Sequence, residues 1–451
     1  MSATVHLPAR DVPVIGEYDV VVVGGGPAGI MAATAAARAG RSTLLIERYG
    51  FLGGAGTMGG LSTFCGLHAR VHGEDLRVIR GYTDELLERL EQLDGLSEPH
   101  LSVEQRIQAQ AFDISAYKLA ADDLVLAAGA ELLFHASVQG VVTGADGRLD
   151  GVVVESKSGA GVIRGQFFID TSGDADVAAM AGAPFERSEH LLYPSLMFRI
   201  NGVHPDEAGQ AWKTIARIME EAEAAGTHRF PRKKPIVRPQ RNPLEWRSNL
   251  TQLSNDDGSA VDGTDVRQLT HGEIQGRRQV RDTFAFIREH TPGFQDSYVV
   301  DIAPQIGIRE TRRIVGPYQL TEDDVLGCAD FDDTIGVNGW PVEAHVAGDV
   351  EFRFAPRESR GFNQLPYRML VPQHVDNLLV AGRCASMTQR GQSSGRVTGP
   401  CFAMGQAAGT AADIALASGT TAAAVDTAVL QRRLEQDGAY LGTTAPVATA
   451  L

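Results

Sequence analysis

Residues 18–47 read Tyr18-Asp-Val-Val-Val-Val-Gly-Gly-Gly-Pro-Ala-Gly-Ile-Met-Ala-Ala-Thr-Ala-Ala-Ala-Arg-Ala-Gly-Arg-Ser-Thr-Leu-Leu-Ile-Glu47. A β-branched apolar run meets glycines at once. An alanine-rich helical run follows to Ala39, with a stop at Gly40 and a second strand from Ser42 to Ile46 that ends in an acid. In the order strand, glycine turn, helix, strand, acid, the pattern G-x-G-x-x-G reads as a dinucleotide fingerprint. Gly24 turns the backbone sharply off the strand, and Gly26, without a Cβ, lets a pyrophosphate approach the amides. Gly29, Ala32, Ala33 and Ala36 let the helix lie tight on the sheet. The helix N-terminus presents unpaired N–H groups and a partial positive charge to phosphate. Glu47, eighteen residues after Gly29, is placed to take a ribose diol by two hydrogen bonds.

The 451 residues are enough for a large core and two lobes, and 43% hydrophobic with 22% charged residues reads as globular. A net charge of -15 argues against a broad nucleic-acid surface. Cys65, Cys328, Cys384 and Cys401 form neither a C-x-x-C pair nor a zinc spacing, so no metal is expected and a reducing compartment suits them. There is no charged-then-apolar leader, and the alanine-rich run 403–425 is broken by Gln406, Thr410, Asp413 and Ser418. The expectation is a soluble, cytoplasmic protein with no membrane or nucleic-acid partner.

Outward from the fingerprint, residues 1–16, with Pro8 and Pro13, read as a surface arm. A second glycine-rich loop, Arg48 to Gly60 with Gly53, Gly54 and Thr57, suits a long cofactor with a second phosphate. Helices are expected over Tyr82–Asp94, capped by Thr83, and over Asp113–Ala128, with an excursion around Pro99 between them. Glu131 to Ile169 reads as β, its first strand running from Glu131 to Val138 and its last leading into Asp170-Thr-Ser-Gly-Asp-Ala-Asp176. Residues 200–365 change texture. The basic, proline-rich stretch Arg229–Arg247 (with Arg232, Lys233, Lys234, Arg238 and Arg241) reads as a solvated loop, the alternative being a contact for an anionic substrate or a partner. Thr270-His-Gly-Glu273 reads as a capping box opening a long helix that ends near Pro292-Gly293, and Thr321–Asp324 as another helix start. Gln364–Pro372 is expected to be extended and Asn377–Arg383 to be a buried strand. Gly395–Gly399 and Pro400 precede a helix from Cys401 to about Ala417. No second complete fingerprint is present, so a dedicated NAD(P)H domain is not expected.

The ordered set Gly24-Gly-Gly-Pro27-Ala28-Gly29 with Glu47, Gly53-Gly54, Ile169–Asp176, Gly307–Gly316, Leu365–Arg368, Asn377–Arg383 and Met404-Gly-Gln-Ala-Ala-Gly409 resembles the FAD-dependent oxidoreductases of the glutathione-reductase-like fold. Within these it is most similar to the branch related to fumarate reductase flavoproteins. The resemblance implies an α/β protein. A Rossmann-like FAD-binding domain, parallel sheet plus β-meander, is discontinuous over 1–65, 113–195 and 366–430. A helical excursion spans 66–112, an α+β substrate or cap domain 196–365, and a tail 431–451. It further implies that Gly24, Gly26, Pro27, Ala28 and Gly29 hold the pyrophosphate and that Glu47, beside Arg48, holds the adenosine ribose. Gly53, Gly54 and Thr57 would approach the ribityl side, and Val138, at the end of its strand, would pair with adenine. Gly173 and Asp174 would lie near the adenosine half and Gly382 and Arg383 by the flavin phosphate. The helix start at Gly399, Pro400 and Cys401 would face the flavin pyrimidine ring.

A flavin dehydrogenase also needs a base and a substrate clamp. The candidates are Arg309, Glu310, Arg312, His345, Tyr367 and Arg368. Arg309 and Arg312 offer paired donors to a carboxylate or phosphate, and His345 is the candidate base. Against these stand an inter-lobe ion-pair network for the arginines, a hydrogen-bonded structural role for His345, and framing of the flavin for Tyr367 and Arg368. His68, His72, Cys65 and Cys401 are weaker candidates. The leading expectation is a dehydrogenase or oxidase passing hydride from a small-molecule substrate to flavin N5, with oxygen or another electron acceptor, in a possible homo-oligomer. The alternatives are an NAD(P)H-dependent monooxygenase and a flavin-bearing sensor without turnover.

Overall fold

Five parallel strands finish at one level, the outermost with Leu133 in register with Ile46, and decide where everything else sits. Val23 is in register with Ile46 on one side and Asp170 on the other, and Asp170 with Val380. The structure, a computed structural model, describes residues 4–6, 9, 11–103 and 105–443. Pro8 of the expected arm and residues 444–451 of the expected tail lie outside the described residues. The seven-stranded sheet runs Glu131–Leu133, Thr43–Ile46, Val14–Val23, Gly159–Asp170, Leu149–Ser156, Ser137–Thr143, and Leu378–Val380 also pairs with Gly159–Asp170. Gly159–Asp170 does two jobs. Its first half joins an antiparallel meander and its second half the parallel core.

The run Val20–Val23 is apolar at every position because both faces of its strand are covered. Val20 and Val22 enter one core with the fingerprint helix Pro27–Arg38, Ile114–Ala127 and the closing helix Thr398–Ser418. Val21 and Val23 enter another with Ile163, Phe168 and Val380. Closing and fingerprint helices touch backbone to backbone. A Cβ on Gly405 would stand 2.1 Å from the Ala28 carbonyl oxygen, and one on Gly409 2.2 Å from that of Ala32. Gly405→Val is therefore expected to destabilise the protein by about 3 kcal/mol or more, read as a lower urea midpoint, because neither backbone can yield without parting the helices.

The middle of the chain builds a separate core. A four-stranded antiparallel sheet, in the order Ile236–Pro239, Trp246–Asn249, Phe198–Asn201, Tyr298–Ile302, packs on the helices Ala211–Ala224 and Val266–His290. The ribbon Val342–Val346 with Asp349–Arg353 lies beside it in sequence.

Several local expectations are corrected. Residues 66–112 are not a helical excursion. One helix, Tyr82–Gln92, stands among the hairpin His68–Val71 with Glu74–Arg77 and the strands Leu96–Ser102 and Ile107–Phe112. Those strands carry Glu, Gln, His and Pro99, which conceal β character. Thr83 lies inside its helix, and Gly81 precedes it. The long helix opens at Val266, where the Asp265 carboxylate accepts from the Arg267 and Gln268 amides, so Thr270 and Glu273 are interior. The stretch Glu131–Val138 breaks, with His135 at φ +56°, and Val138 opens the strand Ser137–Thr143 instead of closing one. After Asn363–Pro366 the expected extended segment turns into a 3-10 helix, Tyr367–Leu370. The closing helix begins at Thr398, and the helix Gln389–Gly395 before it was not foreseen. A helix does start at Thr321, as expected, and it is Thr321 with Asp324 that forms the capping box expected at Thr270 and Glu273.

Candidate active site

The strand ends converge on a cradle. Gly24, at φ +104°, donates its N–H to the Ile46 oxygen, and the Thr171 hydroxyl donates to the Gly24 oxygen at 2.6 Å. The second glycine loop lies directly on the first. The Gly53 N–H donates to the Gly25 oxygen at 2.8 Å, and a Cβ on Gly54 would meet the Gly26 Cα at 2.9 Å. A Cβ on Gly26 would meet nothing nearer than that backbone, at 3.9 Å, so the space above Gly26 is open.

Glu47 is 7% exposed. Its Oε2 accepts the Gly25 N–H at 2.6 Å and its Oε1 the Tyr49 N–H at 3.0 Å. Burial pushes its carboxyl up, opposed by these two N–H groups and by Arg48. A carboxylate oxygen has two lone pairs, so capacity for a diol remains. Arg383 stacks over Gly173, where a Cβ would be 2.9 Å from its Nη2, and donates to Asp174 Oδ1 at 2.8 Å. Thr311 donates to the same oxygen at 2.7 Å. Gly382, at φ +94°, is wedged between Ala28 and the Cys401 sulfur. The two glycine loops, both helix starts and the Asp174–Arg383 pair thus share one cleft. The Tyr117 ring underlies Gly53 and Gly56, and its hydroxyl is buried with no partner among the described residues. An extended dinucleotide fits this cleft. It has room over Gly26, amides at the helix starts and an acid for a ribose. The Thr57 hydroxyl is committed to the Leu52 oxygen at 2.6 Å and fastens its own loop.

A second group of mostly buried side chains, called the chamber below, gathers between the start of the closing helix and the middle lobe. Glu343 and His345 alternate on one strand and so share a face. His345 Nε2 is 3.1 Å from Glu343 Oε1, and Trp340 Nε1–H donates to Glu343 Oε2 at 2.8 Å. Burial would push the Glu343 carboxyl up, but His345, Arg396 and Trp340 outweigh it and hold it at about 2. Burial, with Arg309 nearby, holds His345 well below the usual histidine value. The consistent state is an ionised Glu343 beside a neutral His345, because Arg396 and the Trp340 N–H stabilise the carboxylate without a protonated imidazole. Arg309 donates to the Tyr193 oxygen at 2.6 Å and to Ser195 Oγ at 2.7 Å. Arg396 donates to the Glu343 backbone oxygen, and Arg247 to that of Ser62, each at 3.4 Å. Cys65 is within the field of Glu343, Arg247 and Arg396, and burial pushes its thiol up to about 12. Burial likewise pushes Cys401 up to about 12, so neither is a poised thiolate.

His345 also lines an outer cavity of about 530 Å³, with Tyr193, Asn255, Asp262, Gln268 and Gln389 among its walls. Glu310 builds that wall. It pairs with Arg313, accepts the Leu192 N–H at 2.9 Å and accepts from Gln389 at 2.8 Å.

The expected clamp of Arg309 with Arg312 does not form. Arg312 turns to the other lobe, donating to the Asp174 oxygen at 2.7 Å and pairing with Asp176. Tyr367 and Arg368 are not in the chamber walls described above. The Tyr367 hydroxyl, inside the first core, donates to the Ala422 oxygen at 2.7 Å, and Arg368 pairs with Asp333 at 2.6 Å and lies over the Tyr318 ring. The basic stretch is no solvated loop. It folds into a hairpin that buries Arg232 and brings Arg247 inward. The sequence pattern gave no role to Glu343 or Arg396, and Arg247 entered only as the end of the basic stretch. The spacing Glu343-x-His345 on an apolar alternating strand was the available signal.

Over 176 residues, 36% of this chain, the sequence is 34% identical to a thiamine thiazole synthase from Methanococcus vannielii, and the match spans 59% of that relative's length. Among solved structures, a geranylgeranyl bacteriochlorophyll reductase-like protein from Thermoplasma acidophilum aligns with 94% of this chain and 84% of its own, at 14% identity and a TM-score of 0.47. The p-nitrophenol 4-monooxygenase of Pseudomonas putida DLL-E4 aligns with 96% of this chain and 91% of its own, at 12% identity and a TM-score of 0.46. No helix among the described residues is long and apolar enough to cross a membrane. The model of the FAD dependent oxidoreductase family matches residues 19–434, spanning both the cradle and the chamber: the chain belongs to that family, and FAD is its cofactor.

Proposed function

We propose that this enzyme is a dehydrogenase or oxidase that takes a hydride and a proton from a small organic substrate, with His345 as the proton acceptor. The observation that carries the reading is the chain Trp340–Glu343–His345 inside the chamber. Bound FAD supplies the hydride acceptor, at N5 of its ring. An ionised Glu343 takes the Nε2–H of a neutral His345, which fixes the tautomer and leaves the Nδ1 lone pair as the base. Trp340 holds the carboxylate from its other side, so the imidazole is oriented before substrate arrives. Arg309 keeps the histidine neutral and positions Tyr193, whose N–H donates to the His345 oxygen at 3.0 Å. Glu310 braces the wall through which the outer cavity reaches His345, giving the proton a way out.

Anaerobic mixing of the FAD-loaded enzyme with a panel of small alcohols, amines and acids tests this. Loss of the visible flavin absorbance with one of these alone is the expected result. Loss with NADH or NADPH only would make the protein a monooxygenase instead, and no change with anything would make it a flavin-binding protein without turnover.

A further inference from the structure

The chamber holds more positive charge than its own residues neutralise. Arg232, Arg309 and Arg396 stand in the field of Glu343, which is already paired with His345, and Arg247 joins them at Cys65, which feels Glu343, Arg247 and Arg396 together; the other carboxylates near them, Glu310 and Asp349, are engaged by Arg313 and Lys234. Arg232 is accounted for, since it donates to Asn249 Oδ1 and to the backbone oxygens of Lys233 and Lys234. The other three make no ion pair among the described residues. A guanidinium has five N–H donors. Arg309 uses its two bonds to Tyr193 and Ser195, whereas Arg247 and Arg396 each make one long bond, and the Nε of each is buried without a partner. Arg309 is buried, while Arg247 and Arg396 are half-buried with their Nε atoms inside, and cations drawn this far from water without counter-charge are kept only where something repays the cost. Burial pulls all three below the usual arginine value, Arg247 to about 10.

The cofactor's phosphates do not answer this need. They belong at the glycine cradle, where Arg48 and Arg383 stand among Asp174 and Asp176. What remains is the substrate. We infer that the chamber binds a small organic acid, its carboxylate held by Arg247, Arg309 and Arg396, with the reacting carbon beside His345. A planar carboxylate matches the guanidinium fork, and its charge balances the chamber. The three arginines come from distant parts of the chain, the basic hairpin, the segment after Gly307 and the start of the closing helix, so the clamp exists only once the lobes have closed on each other. The assignment rests on the chamber being the substrate site, but not on how the flavin becomes reduced.

The test is ligand binding to the oxidised, FAD-loaded enzyme at constant ionic strength, read as a change in visible flavin absorbance and, separately, by calorimetry. Acetate, benzoate and oxalate are compared with acetamide, benzamide and inorganic phosphate. Saturable binding of at least one acid is expected, with its amide at least tenfold weaker. Arg247→Gln and Arg396→Gln are each expected to weaken it tenfold or more while keeping a full complement of FAD. Arg309 is left intact because it anchors Tyr193 and Ser195, and Arg241→Gln, on the same hairpin but paired with Asp94, is the unaffected control. Equal binding of acid and amide, binding of phosphate alone, or unchanged affinity in both chamber variants would overturn the inference. Carboxylate binding in an enzyme bleached only by NADPH would leave it standing while refuting hydride transfer from substrate. Bleaching by a neutral alcohol or amine without acid binding would do the reverse.

Discussion

Replacing Gly29 with valine is expected to yield a protein that purifies without FAD. A Cβ at this position would lie 1.9 Å from the Gly24 oxygen and 2.8 Å from Thr171 Oγ1. Neither can retreat. The Thr171 hydroxyl fastens the Val23 and Gly24 carbonyls at 2.9 and 2.6 Å, and Gly24 is tied to the end of the neighbouring strand. The helix must therefore lift off the turn, withdrawing its amides from the pyrophosphate. A hundredfold loss of affinity, about 2.7 kcal/mol, is a conservative expectation. Gly26→Ala separates cradle from fold. Its methyl would meet only open space near Gly54, so the apoprotein should keep its urea midpoint while FAD binding weakens at least tenfold. Fluorescence titration of the apoproteins with FAD measures both, and Gly140→Ala, with Val153 at 3.7 Å, should change neither. Tight FAD binding by Gly26→Ala would show that the phosphates lie elsewhere.

His345→Asn is expected to slow substrate-driven flavin reduction by about 10²–10⁴-fold, the range for loss of a general base. Because burial and Arg309 hold the imidazole well below its usual value, the wild-type rate should stay flat as pH falls through 6.5 and drop only at more acid pH. Glu343 attracts a proton to His345. Glu343→Gln removes that attraction, so the acid limb should move to lower pH while the rate falls about tenfold or more from loss of orientation. Stopped-flow reduction across pH reads all three proteins. An acid limb centred at the ordinary histidine value, or a normal rate in His345→Asn, would exclude His345 as the base.

The cradle was legible because its chemistry is local. Gly24, Gly26, Gly29 and Glu47 sit within thirty residues, and each answers a steric demand that no other side chain meets. The return of the chain to the same sheet at Asn377–Arg383 was legible too, since a short apolar run ending in glycine has few other uses. The chamber was not. Arg247, Arg309, Glu343 and Arg396 span about 150 residues of sequence, and nothing in their spacing says that they meet. Arg309 and Arg312 looked like a pair, but Ile308–Arg312 is not helical, so three residues of separation send their side chains to different lobes. Tyr367 and Arg368, candidates for the substrate site with framing of the flavin as the alternative, are instead a core hydrogen bond and an ion pair. In both cases tertiary contacts outside the local pattern decided the outcome.

One strand has a consequence for how the molecule is made. Leu378–Val380 completes the sheet beside Phe168–Asp170, some two hundred residues after that strand has been synthesised. At about 5–20 residues per second the ribosome leaves that edge without its neighbour for roughly 10–40 seconds. During this interval the growing polypeptide offers a bare row of amides and carbonyls, the kind of surface on which chains aggregate. Capture of the yellow prosthetic group must wait still longer, until Thr398–Ser418 has emerged, so supplying it in excess cannot rescue a nascent chain that has gone astray before that helix exists.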